Sequence, residues 1–229
     1  MTKTKHSRTG GFSMIAVMIL ITFIAIVAAV AFPALNKMTE KARISKDVHH
    51  QSQILKMLKL FGMDNDGGYP TFDFDSGDDV RYTNSTDVFN HLMYEVDIQE
   101  ESIFYVKGNP TKPSPPNGDG MLTKNENSYS YVAGQTDSMS GRSPLIADEM
   151  DEPGVYGANH PWLRQGQAVV GFLGGEVKIM ELTGIYPGAT VKGLPVHGID
   201  DIFEMGIKDE EGRVSGGYLA VDPSNILNP

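Results

Sequence analysis

From Phe12 to Leu35 the chain reads FSMIAVMILITFIAIVAAVAFPAL, 24 residues without a charge. A helix of that length is about 36 Å long, against a hydrocarbon core of roughly 30 Å, so it spans a bilayer with some tilt. Lys3, Lys5 and Arg8 precede it and no acid does. The positive-inside bias therefore leaves residues 1–11 cytoplasmic and sends the rest of the chain across the membrane. A secretory signal peptide has a shorter apolar core, about 7–15 residues, closed by a small-x-small cleavage site. Here the apolar stretch runs on without a turn.

The next segment, NKMTEKARISKDVHHQSQILKMLKLFG, is polar with helical spacing of its apolar residues. Ile44, Val48, Leu55 and Leu58 form one stripe, with Ile54, Met57 and Phe61 beside it, while the Lys, Glu, Gln, Ser and His between them suit a solvated face. Gly62 and the run Asp64-Asn65-Asp66-Gly67-Gly68 stop the helix. The expectation is one helix of about 50 residues, its first half in lipid and its second half amphipathic outside. Pro33 lies inside it and removes one backbone hydrogen bond, which is expected to kink or loosen the helix there. Ala25, Ala28, Ala29, Ala31 and Ala34 would let helices approach closely in lipid, although alanine is also common in any membrane helix.

Charge divides the chain in the same place. The net charge of −10 splits into +3 over residues 1–11, +4 over 12–63 and −17 over 64–229. A basic front and an acidic body imply two environments, and so acidic a body is a poor partner for nucleic acid. With no Cys, disulfide scaffolds, cysteine zinc sites and thiol catalysis are excluded. The reading is a basic leader (1–11), a membrane helix (12–35), its amphipathic continuation (36–62) and an acidic head (63–229).

In the head, short apolar runs alternate with turn residues. Ser85-Thr86-Asp87 offers an N-cap for a short helix through residues 89–96. Ile103 to Val106, Tyr129 to Ala133 and Pro144 to Ala147 read as strands. Gln167 to Phe172 and Glu176 to Met180 form a hairpin at Leu173-Gly174-Gly175, where Gly-Gly permits positive φ. Residues 109–120 are a Pro/Gly-rich loop, and Ile199–Phe203 and Tyr218–Val221 are short candidate elements. A long helix followed by a mainly antiparallel sheet is an α+β class.

Little chemistry is visible. The six His are scattered, and His49 and His50 point about 100° apart on a helix, so they make no metal pair. No H-E-x-x-H, G-x-S-x-G, P-loop or G-x-G-x-x-G motif occurs, and no enzyme is expected. Three acidic groups, Asp64-Asn65-Asp66, Asp73 to Asp79, and Asp148-Glu149 with Asp151-Glu152, read as solvated turn carboxylates. Calcium is the alternative, but neither of the first two fits an EF-hand loop, because Gly68 and Gly77 stand at the required fifth place. Asn84-Ser85-Thr86 is a chance match to a glycosylation acceptor.

Gly10-Gly11-Phe12-Ser13-Met14-Ile15 behind a short basic leader, with Pro33 placed 21 residues after Phe12, resembles the N-terminal signal of type IV pilins and type II secretion pseudopilins. PALNKMTEKAR followed by DNDGGYP is similar to pseudopilin-like proteins too, and residues 159–177 look more loosely like a C-terminal hairpin of such proteins. The resemblance implies a pilin-like fold, and cleavage between Gly11 and Phe12 by a prepilin peptidase with methylation of Phe12. It also implies an inner-membrane assembly platform and assembly with other pilin or pseudopilin subunits through the N-terminal helix. Some such heads bind calcium. Major subunits of the family carry a glutamate at the fifth mature position, where this chain has Ala16. Its absence is typical of a minor subunit at the filament tip. The function implied is a type II secretion pseudopilus subunit in the bacterial inner membrane, with its head periplasmic. A type IV pilus minor pilin and a non-polymerising anchored periplasmic binding protein are the alternatives.

Overall fold

A computed structural model describes residues 13–70, 82–112, 114–157, 160–183, 189–191, 202–203, 206–208, 214–216 and 226–229. The Asp73 to Asp79 loop, Tyr218–Val221 and the first residues of 199–203 lie outside them. The chain divides into two compact units at the Ala42/Arg43 boundary.

Helix α1, Met14–Asp64, is a single 51-residue element that runs through Pro33 without interruption. Pro33 has no N–H and so cannot donate to the carbonyl of Ala29. Beyond Arg43 the helix turns one face to the head, and Ile44, Ile54, Leu55, Met57, Leu58 and Phe61 join the main core. Each of the fully buried leucines and isoleucines among them contributes roughly 1.5–3 kcal/mol by leaving water. The helix stops where the Gly67 amide bonds the Gly62 carbonyl at 2.8 Å and Asn65 Nδ2 donates to the Phe61 carbonyl at 2.8 Å. Asp66 and Gly67 take positive φ, 52° and 82°, which Asp tolerates and Gly adopts freely. The loop is then tied to the sheet by Tyr131, whose hydroxyl donates to the Pro70 carbonyl at 2.7 Å.

Helix α2 spans Ser85–Glu95. Its cap is Asn84, one residue before the expected triplet, with Oδ1 accepting from the Asp87 amide at 2.9 Å. Ile103 to Val106, expected as a strand, is instead a 3-10 turn over Glu101–Phe104 followed by extended chain. The Glu101 carboxylate is drawn inward by the Gly118 amide, 2.8 Å away, and by that of Gly120. Those bonds replace a strand partner.

The strands are β1 Tyr129–Val132, β2 Pro144–Asp148, β3 Val155–Tyr156, β4 Gln167–Phe172, β5 Val177–Thr183, β6 Ala189–Val191, β7 Gly206–Lys208, β8 Val214–Gly216 and β9 Ile226–Leu227. A five-stranded antiparallel run, β9-β1-β2-β4-β5, continues through β6 to β3; β7 and β8 pair separately. The β4–β5 hairpin turns on Gly175 alone, at φ 90°, with its amide on the Phe172 carbonyl at 2.7 Å. Gly174 keeps an ordinary φ, so one glycine of the pair supplies the positive φ.

Both faces of the central strands are covered. Along β4, Val169 joins the core under α1, and Gly171 lies against Leu55. Ala168, Val170 and Phe172 point into a second apolar layer with Met150, Tyr156, Ile202 and Phe203. The architecture is α+β: a long N-terminal helix, apolar in its first half, whose residues beyond Arg43 pack on an antiparallel sheet.

Candidate functional site

Two features are distinctive: the apolar half of α1 and a polar network where its other half meets the sheet. In the first, every described residue from Ser13 to Thr39 is exposed. Ile15, Leu20, Phe23, Ile26, Val30 and Phe32 are each at least half exposed, and they point in all directions around the helix axis. This stretch is long and apolar enough to cross a membrane. An apolar surface on all sides suits lipid or neighbouring apolar helices, whereas a helix on a soluble core shows one apolar stripe.

Ala16 and Pro33 both lie on this exposed surface, about 25 Å apart along the axis, so they form no joint site. Ala25, Ala28 and Ala29 share one side of the helix. Gly11 and Phe12, the expected processing residues, lie outside the described residues.

The second feature departs from the sequence pattern. Asp47 and Gln51 sit on the inward face of α1, 2% and 0% exposed, and His50 is buried beside them. This corrects the expectation that the polar residues between the stripe positions form a solvated face. Their spacing holds the clue: Ile44, Asp47, Gln51, Ile54 and Leu58 succeed one another at steps of three and four, so two polar residues occupy stripe positions. Asp148, expected as a solvated turn carboxylate, ends β2 and is fully buried. Two residues beyond Ile146, it points to the same face.

These side chains meet. Asp47 accepts from the Tyr129 hydroxyl at 2.8 Å and from Trp162 Nε1 at 2.7 Å. Asp148 accepts from the Val169 amide at 2.8 Å and from Gln51 Nε2 at 3.1 Å, and the same Gln51 nitrogen donates to the Val169 carbonyl at 3.1 Å. The two carboxyl groups lie within interacting distance of each other, with Gln51 beside both. Among the described residues, no Lys or Arg pairs with either one.

Burial raises the carboxyl of Asp47 above its ordinary range, against the pull of its hydrogen-bond donors. Burial, and then the neighbouring Asp47 charge, holds Asp148 well above it. The Tyr129 hydroxyl is pushed well above 10 by burial and by both carboxyls. His160 Nε2 lies 3.8 Å from Asp148 and 2.9 Å from the Gln167 carbonyl. Burial lowers this imidazole to about 4, so it is neutral at pH 7.

Of the acidic groups considered for calcium, the Asp64 to Asp66 side chains are exposed, and the Asn65 amide is engaged by the helix end. No group of three or more His, Cys, Asp or Glu side chains among the described residues is arranged to hold a metal ion. Asn84, the glycosylation match, is buried in its capping role. Compared with known proteins, the chain matches no protein-family model, no curated protein and no solved structure.

Proposed function

We propose that this chain is a structural subunit of a type II secretion pseudopilus. In this reading a prepilin peptidase removes residues 1–11, Phe12 becomes the methylated N-terminus, and the apolar half of α1 passes from the inner membrane into a filament core. The acidic head stays in the periplasm and forms the filament surface. The observation that carries the reading is a helix without charge from Met14 to Leu35, apolar on every side, that continues unbroken to Asp64, with its residues beyond Arg43 in the core of a folded head. A discarded export signal has no use for such a continuation. A filament subunit needs it, because the same helix must leave lipid and pack against its copies while keeping hold of its head.

Ala16 gives the subunit its place. An ammonium buried in apolar surroundings costs several kcal/mol unless paired. Ala16 offers no carboxylate to the N-terminus of a neighbour, so we assign the chain to a minor or tip position, where no subunit below depends on it. The work is mechanical and needs no catalytic group.

The test is the intact mass of full-length protein extracted from membranes that contain a prepilin peptidase. Loss of residues 1–11 together with one added methyl group, and recovery of the chain at low copy number in sheared filaments, are expected. A chain that keeps Met1 and remains monomeric in detergent refutes assembly and leaves an anchored periplasmic protein. Recovery as the dominant filament subunit refutes the tip position alone.

A further inference from the structure

We propose that the Asp47–Asp148 pair is a proton latch: it closes the α1–sheet interface by holding one proton between its two carboxyls, and loss of that proton as pH rises opens the interface. The proposal does not depend on whether the chain polymerises.

The geometry sets the proton count. Both carboxyls are fully enclosed, lie within interacting distance of each other, and have no Lys or Arg partner among the described residues. Their other neighbours are neutral: Gln51 from α1, Tyr129 from β1, the Val169 amide from β4, and Trp162 and His160 from the segment before it. Two adjacent negative charges in such a site are not tolerated, whereas one shared proton turns repulsion into a charge-assisted hydrogen bond. The roles are unequal. Asp47 faces the Tyr129 and Trp162 donors and is the carboxylate, while Asp148 is the acid that donates to it.

The folded pair holds its proton more tightly than the unfolded chain does, so the latch is fully effective below the ordinary carboxyl range and is lost as pH rises through the folded value. Tyr129 stays protonated beyond that window, and His160 stays neutral within it. Trp162 is the only tryptophan of the chain and donates directly to Asp47, so its emission reports on the latch itself.

The experiment uses the full chain in detergent micelles between pH 5 and 9.5, following Trp162 emission and the denaturant midpoint. Wild-type protein is expected to lose stability as pH rises from the ordinary carboxyl range to the folded value of the pair, its folding constant falling about tenfold per pH unit relative to Asp148→Asn over that span and levelling off above it. Trp162 emission shifts to the red in step. Asp148→Asn keeps a donor toward Asp47 and is expected to show a flat profile above pH 7, beyond the range in which His160 contributes, while Asp47→Asn, which gives up an acceptor, weakens the fold at every pH. Identical profiles for wild type and Asp148→Asn overturn the proposal. Infrared spectroscopy of the wild-type protein covers the case in which no variant folds. A protonated carboxyl band that persists above the ordinary carboxyl range and disappears as the interface opens supports the latch, and absence of any such band above that range overturns it.

Discussion

Gly171 in β4 lies under α1, where the helix packs on the sheet. A methyl group added there meets Ile146 Cγ2 at 2.6 Å and Leu55 Cδ1 at 2.9 Å, well inside the 3.4 Å at which ordinary van der Waals contact begins. Both neighbours are buried and held in the same core, so neither can swing into solvent. Gly171→Ala must therefore push α1 off the sheet or force Leu55 and Ile146 out of their rotamers. Overpacking of this kind costs about 1–3 kcal/mol. For a folded unit of this size that is a fall in Tm of roughly 2–12 °C. The assay is thermal unfolding of the full chain in micelles, read by near-ultraviolet circular dichroism so that head packing is followed. Leu55→Ala alone is expected to cost about 2–5 kcal/mol through the cavity it leaves. Combined with Gly171→Ala it should cost less than the sum, because the alanine methyl enters the space Leu55 vacated, with a coupling of about 0.5–3 kcal/mol. An unchanged Tm for Gly171→Ala, or strict additivity in the double variant, refutes the helix–sheet contact.

Acid acts on the head through His160, whose imidazole titrates at about 4 against an ordinary 6.5. The lowered value means that the neutral form stabilises the fold above pH 6.5, and that this is lost as pH falls toward 4, by about 3 kcal/mol. His160→Gln should flatten the profile in that window, as read by denaturant midpoints. Removing the α2 cap with Asn84→Ala should cost about 1 kcal/mol by the same measurement. Ile21→Lys, at the middle of the exposed apolar stretch, should cost about 2.5–3.5 kcal/mol of membrane insertion, read as the fraction of chain extracted by alkaline carbonate.

The course of α1 was legible because hydropathy and the 3.6-residue period act over many residues at once. The β4–β5 hairpin was legible because its two apolar runs flank a glycine that the turn requires. Asp148 was not, because it is followed by Glu149, Asp151 and Glu152, and a local acidic composition hides a single residue that belongs to the apolar run Leu145-Ile146-Ala147 before it. Asp47 and Gln51 were hidden in the opposite way: polar residues on a helix are assigned to water unless their partners, 82 to 118 residues away in sequence, are known. Ile103 to Val106 was misread because four consecutive apolar residues satisfy a strand pattern, while the Gly118 and Gly120 amides that hold the Glu101–Phe104 turn come from a distant loop. Long-range polar satisfaction is invisible to a window moved along the chain.

The sheet, enclosed by α1 below and by the layer of Met150, Ile202 and Phe203 above, has no outer side along β1, β2 and β4. Substitutions on those strands are felt as interior changes. Among the described residues the turns and the outer faces of α2 and β5, where Tyr94 and Ile179 meet water, are the places at which new specificities can arise while the barricaded centre stays fixed.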